Sequence, residues 1–186
     1  MTGKRGAELC VVCRARRTLG AEHALVRSNV RRFTSERFAV WRCGSCASIH
    51  ADQEIDLAPY YRAYPMHSVD LDWRARAAYR VQLRRLVSAG FRRDHSLLDY
   101  GCGSGAFVQF LWKAGYRHSV GYDSYNPAFA EERLLGGQYD CVLSQDVLEH
   151  VEDPWTLLGV LRRLLAPGGL LAIGTPNASA IDLTRP

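Results

Sequence analysis

Residues 97–107, LLDYGCGSGAF, run a short apolar segment directly into three glycines at alternate positions. The helical pattern SGAFVQFLWKAG follows at once and is closed by Gly115, so the stretch reads as strand, tight turn and helix. A strand that hands over to a helix this way commits the chain to a parallel sheet. The helix is what carries the backbone to the start of the next strand. The rest of the chain keeps that rhythm. HSVGYD is a strand, NPAFAEERLLGG a short helix and YDCVLS a strand; DPWTLLGVLRRLLAPGG is a helix with proline in its first turn and a Pro-Gly-Gly stop, and LLAIGT is the last strand. The fold class is therefore α/β, a parallel sheet with helices on both faces.

Ligands of such sheets sit beyond the carboxyl ends of the strands, where the glycine turn lies. Its spacing fits two readings. Gly101-x-Gly103-x-Gly105 is one; Gly101-x-Gly103-x-x-Ala106 satisfies the looser dinucleotide fingerprint. Asp123 closes the next strand. Its two syn oxygens can accept from the two hydroxyls of a ribose. That geometry serves NAD and an adenosine-based cofactor alike, so the turn and Asp123 together predict a nucleoside without naming it.

Ahead of this core, Cys10-x-x-Cys13 and Cys43-x-x-Cys46 form two separate hooks. Each hook turns two thiolates toward one ion, the ligand pattern of a zinc ribbon. ALVRSN and RFAVWRC between them read as a hairpin. The spacing predicts structural Zn2+ on Cys10, Cys13, Cys43 and Cys46, a closed site with no catalytic position. His50 is an alternative ligand, and the simpler expectation is an exposed histidine at a strand end. The expected organisation is a ribbon over 1–52, a linker over 53–68 and the α/β core over 69–186.

No window of about 18 apolar residues is present, which argues against a membrane span. MTGKRGAELC has no apolar signal core, and a cytoplasmic location is the expectation. The net charge of +5 is uneven: residues 1–95 hold 18 Arg/Lys against 9 Asp/Glu, and residues 96–186 hold 6 against 10. A basic first half suits a nucleic-acid partner. The plainer reading is solvated helix faces, since Arg74, Arg76, Arg80, Arg84 and Arg85 fall on a helix expected from about Val69 to Ala89. Nothing in the sequence sets an oligomeric state.

One stretch goes further. YDCVLSQDVLEHVEDPWTLLGVLRRLLAPGGLLAIGTPN, residues 139–177, together with LLDYGCGSG and VGYD, resembles the class I S-adenosylmethionine-dependent methyltransferases. The three segments follow one another in the family's order, and the LEHV-x-DP and L-x-PGG elements are specific. The resemblance implies a Rossmann-like core and S-adenosyl-L-methionine as cofactor. On the matching positions, Asp99 and the turn Gly101, Cys102 and Gly103 would border the methionine part. Asp123 would bind the ribose, with Tyr122 and Ser124 near the adenosine, and Ser144, Gln145 and Asp146 would lie near the sulfonium. His150 is the candidate general base. Tyr60, Tyr61 and Tyr64 would close over the cofactor or plug the two modules together. The implied acceptor is a small molecule, a sugar or a secondary-metabolite intermediate. The alternatives are an RNA base, or a non-catalytic cofactor-binding scaffold.

Two departures temper the match. The stretch between Asp123 and Tyr139 is too short for the family's helix, third strand and loop, so that strand is expected to be missing. After Asn177 only positions 178–186 follow, where the family has two further strands. The core is expected to be incomplete at that edge.

Overall fold

The computed structural model describes residues 8–28, 30–53, 56, 59–60 and 71–184. Packing divides them into two units: residues up to 60 together with 176–184, and residues 71–175.

The first unit is built on three antiparallel strands in the order β1 (His23–Arg27), β2 (Arg37–Arg42) and β3 (Ile49–Ala51). The hairpin is present as expected, His23 facing Trp41 and Arg27 facing Arg37. Its third strand was foreshadowed only by the strand end expected at His50, because so short a segment carries no period. The interior is small: Cys10, Trp41 and Cys43 are buried, with Ala15 and Ala21 packed against them. Arg17 closes the unit, pairing with Asp52 through both guanidinium nitrogens and lying 4.9 Å above the Trp41 ring. Tyr60 packs on Phe33 and Phe38 and donates its hydroxyl to Glu36. It thus serves an aromatic cluster within the first unit. Tyr61 and Tyr64 lie outside the described residues.

Residues 176–184, read from the sequence as the end of the core, belong to this unit. The Arg42 guanidinium donates to the carbonyls of Ala178 and Ile181, and Leu183 is buried.

The second unit is a four-stranded parallel sheet in the order β5-β4-β6-β7, from β4 (Leu97–Tyr100), β5 (Ser119–Tyr122), β6 (Tyr139–Gln145) and β7 (Leu165–Gly174). Strand alternation assigns each residue to a face. Leu97, Cys141, Leu143 and Leu170 pack beneath α1 (Trp73–Ser88) and α2 (Ala106–Lys113); Leu98, Val142 and Leu171 pack beneath α3 (Pro154–Arg163). Helices therefore cover both faces. The expected start of α1 near Val69 moves to Trp73, because the Asp72 side chain accepts from the Ala75 N–H at 2.7 Å and caps the helix there.

Two further boundaries differ from the sequence reading. Residues 124–138 hold no strand, as the short interval implied, but the expected helix shrinks to one 3-10 segment, Glu132–Gly136. Asp123 draws the Tyr125 and Asn126 amides back to its own carboxylate, so the chain turns where a helix would begin. The Pro-Gly-Gly stop lies inside β7: Leu165 pairs with Tyr139, the chain bulges, and Leu170 pairs with Cys141. Gly168 has a left-handed φ of 77°, and a Cβ on Gly169 would lie 3.0 Å from the Tyr139 carbonyl.

Candidate functional site

Three parallel strands end side by side, and the glycine turn leaves the middle one, β4. Gly101, Gly103 and Gly105 all have positive φ, at 81°, 56° and 70°, a region costly to any residue with a Cβ. Ala106 is already the first residue of α2, so the Gly-x-Gly-x-Gly reading describes the turn. Space is as short as conformation. A Cβ on Gly101 would lie 2.3 Å from Val147 Cγ2, and one on Gly105 2.2 Å from Phe129 Cζ. The turn is held from β5: the Gly101 and Cys102 amides donate to the Tyr122 carbonyl at 2.7 and 3.1 Å.

Asp123 fixes the same turn from its side chain. Oδ2 accepts from the Gly103 N–H at 2.9 Å, and Oδ1 from the Tyr125 and Asn126 amides at 2.9 and 3.2 Å. Asn126, buried and not singled out in the sequence, completes the clasp by donating Nδ2–H to the Gly103 carbonyl at 2.6 Å. The Asp-x-x-Asn-Pro spacing, typical of side-chain-closed turns, was its only signal. A carboxylate offers about four acceptor sites; three are used here, and the open one is on Oδ2.

Among the described residues, two polar side chains at these strand ends have no hydrogen-bond partner. Asp99 is 5% exposed, and no described residue hydrogen-bonds its carboxyl. Ser144, one position past the Leu143 that pairs with Asp99, is buried with an unsatisfied Oγ. Buried polar groups are nearly always paired, so two orphans beside a glycine turn that excludes side chains mark a floor shaped for a polar ligand.

Burial first, and the negative charge of Asp123 second, push the Asp99 carboxyl up to about 7. An unfolded chain releases that proton near ~3.9. Between the two values the folded chain holds a proton that the unfolded chain has lost, so Asp99 makes the fold less stable as pH rises from about 4 to about 7. Asp99→Asn should remove that component. Thermal midpoints of the two proteins compared near pH ~5 and ~7 should show the variant gaining on wild type at the higher pH; parallel profiles would refute it.

The other residues read from the sequence divide into two groups. The Cys102 side chain packs under β5, where a Cβ on Gly121 would lie 2.7 Å from its sulfur. Burial raises its thiol above the usual range, with Asp99 and Asp123 adding to the effect. Tyr122 is buried against Tyr100, at 5.3 Å between ring centroids, and Ser124 is exposed. At the ends of β6 and β7, Gln145 lies against Gly174 and donates Nε2–H to Asp146, whose φ is 54°. His150 stands in the 3-10 turn Leu148–His150, about half exposed, with Nε2 4.0 Å from Glu149 Oε1. Thr175 donates to the other Glu149 oxygen at 3.2 Å. Val147, seated on Gly101, ties this rim to the glycine turn.

In the first unit the four predicted cysteines converge, all four sulfurs lying within 4.8 Å of one another. The closest approaches are between hooks, Cys10 to Cys46 and Cys13 to Cys43, both 3.6 Å. A tetrahedral zinc with ~2.3 Å bonds sets sulfur–sulfur edges of about 3.8 Å, so the donor set fits. His50 is half-buried instead of exposed, its Nε2 2.7 Å from Ser48 Oγ and 3.2 Å from Cys10 Sγ, its ring 4.8 Å from Trp41.

A family model described as a methyltransferase domain matches residues 72–185. The ubiquinone biosynthesis O-methyltransferase of Caulobacter vibrioides is 30% identical over 155 residues, 72% of this chain and 56% of that protein. The tRNA U34 carboxymethyltransferase of Dichelobacter nodosus is 32% identical over 130 residues, 58% of this chain and 40% of that one. The chain spans about half the length of the first curated relatives it matches. Among solved structures, an amino pentose methyltransferase from Micromonospora echinaspora with S-adenosylmethionine bound aligns at 20% identity and a TM-score of 0.44, covering 69% of this chain and 59% of that one.

Proposed function

Because the chain belongs to the class I S-adenosylmethionine-dependent methyltransferases, we propose that it moves a methyl group from S-adenosylmethionine to a hydroxyl or amine of a small molecule. The observation that carries this reading is the pair of orphaned polar groups, Asp99 and Ser144, beside the glycine turn and Asp123. When bound, the cofactor supplies a methyl carbon on a positively charged sulfonium. The residues present suit that cation. Asp99 and Asp123 put two carboxyls under the turn, and Asp146 and Glu149 add acidic groups at the rim.

Methylation of such a hydroxyl or amine would require it to give up a proton. His150 takes that proton at Nε2, with Glu149 beside it and Thr175 donating to Glu149. Direct displacement depends chiefly on alignment, which can supply about 7–11 kcal/mol; a base is a supplement. The small-molecule acceptor is supported by the ubiquinone O-methyltransferase relatives. An RNA acceptor is the second reading, favoured by the tRNA-modifying relative and the basic first half, and it requires binding that weakens steeply with salt. The four-cysteine centre is proposed to hold structural Zn2+. Its four thiolates would leave no open position on the metal.

Calorimetric titration with S-adenosylmethionine, S-adenosylhomocysteine and NAD tests the core of this reading. Binding of the first two, and none of NAD, is the expected result. A folded sample that binds neither sulfur compound would overturn it.

A further inference from the structure

Helix α1 carries Arg74, Arg76, Arg80, Arg84 and Arg85 and has no lysine, aspartate or glutamate. Its inner side is settled: Tyr79, Leu83 and Leu86 pack on α2 and the sheet. Arg76, Arg80 and Arg84 recur every fourth residue, so they form one stripe along the outer side, where like charges repel. Among the described residues no carboxylate forms an ion pair with any of the five. Arg74 lies 5.2 Å over the ring of Trp73, itself largely exposed.

Alongside the stripe runs a hollow of about 470 Å³ lined by Arg80, Leu83, Arg84, Val87, Ser88 and Tyr116. Arg93 lies near Tyr116, its guanidinium 6.0 Å from that ring. The result is a largely apolar hollow with two guanidinium groups in its lining and a third near its Tyr116.

We propose that the outer face of α1 docks an acidic amphipathic segment of another protein, with aliphatic side chains in the hollow and carboxylates on Arg80, Arg84 and Arg93. The composition favours a protein partner. Arginine and aromatic residues with lysine and acids absent are what the centre of a protein interface holds. Each guanidinium can grip a carboxylate through two parallel hydrogen bonds. A single-stranded nucleic acid needs open aromatic faces for its bases; the floor here is Leu83 and Val87, Tyr116 is buried, and the exposed Trp73 ring already carries the Arg74 guanidinium over it. The sixteen residues of α1 extend about 24 Å, long enough to lie along several turns of a partner helix.

The test is fluorescence anisotropy on the whole chain with a labelled synthetic peptide bearing leucine at helical positions i, i+3 and i+7 and glutamate between them. A scrambled peptide of equal composition, a poly(U) strand and phosphatidylglycerol vesicles are run beside it at about 50 mM salt. The amphipathic peptide should bind at least ~10-fold more tightly than the scramble. The double substitution Arg80→Glu with Arg84→Glu, and separately Val87→Glu, should each weaken it at least ~10-fold. S-adenosylmethionine affinity should stay unchanged in both variants, which shows that they fold. Absent peptide binding, equal binding of the scramble, tighter binding of poly(U) or vesicles, or indifference to both variants would each overturn the proposal.

Discussion

Stripping metal from the four-cysteine centre should unfold the N-terminal unit while leaving the parallel sheet intact. The buried cluster of that unit is Cys10, Trp41 and Cys43 with two alanines at its edge, and only Val30, Val40 and Leu183 are buried besides among its described residues, so two of its six buried residues are the proposed ligands themselves. Its strands are five, six and three residues long. A module of this size buries too little to fold by hydrophobic area alone. Structural zinc supplies on the order of 10 kcal/mol or more in comparable sites, more than such a core could replace. Burial works against ionising Cys10, but hydrogen bonds from the Cys13 and Val12 amides and the Ser48 hydroxyl bring its thiol below the ordinary value, whereas burial and the neighbouring cysteines push the Cys13 thiol up.

The readout follows from the packing. Trp41 is 1% exposed, so its fluorescence should shift to that of a solvated indole on chelation, with the other tryptophans replaced by phenylalanine. Residues 176–184 should lose amide protection together with the ribbon, because their anchor is Arg42, the residue before Cys43. Cys43→Ser should reproduce the effect and His50→Ala should show a smaller one. Elemental analysis should find one zinc per chain. A chain without metal whose Trp41 stays buried would show that the cysteine cluster is a packing feature.

The features legible in the sequence were those whose physics is local. A glycine triplet after an apolar run, an alternation of strand and helix, and two cysteine hooks each state their geometry within a short stretch of chain. The missing strand after Asp123 was legible too, since the interval before Tyr139 is too short to hold it. Features built by chain return were not. Ile49–Ala51 is too short to carry a period and becomes a strand only because β2 offers it an edge. Arg42 looked like one more arginine in a basic half; it holds residues 176–184 because Ala178 and Ile181 present carbonyls to it. Tyr60 was grouped with Tyr61 and Tyr64 as an aromatic run, yet its partners Phe33, Phe38 and Glu36 lie far back in the chain. Asp99 and Ser144 were named from the resemblance, but their lack of partners depends on what the neighbouring strands fail to supply.

Asp123→Ala should cost both the turn and the cofactor, and the two losses can be separated. The sequence suggested a carboxylate free to take both ribose hydroxyls, whereas the folded chain uses three of its acceptor sites on Gly103, Tyr125 and Asn126. Removing it leaves the buried Gly103 amide unpaired, a penalty of ~1–3 kcal/mol against stability. It also removes the charged acceptor proposed for the ribose, worth ~1.5–3 kcal/mol per hydrogen bond. With one site open on Oδ2, the first such bond needs no rearrangement; a second requires Oδ1 to give up the Tyr125 or Asn126 amide. Titrating wild type and variant with S-adenosylhomocysteine and its 2′,3′-dideoxy analogue distinguishes the roles. If Asp123 holds the ribose, wild type should prefer the natural ligand by roughly 10-fold or more, and the variant should lose most of that preference. Equal losses for both ligands would mean that Asp123 acts only through the glycine turn. The ribose assignment would then fall while the turn clasp stood.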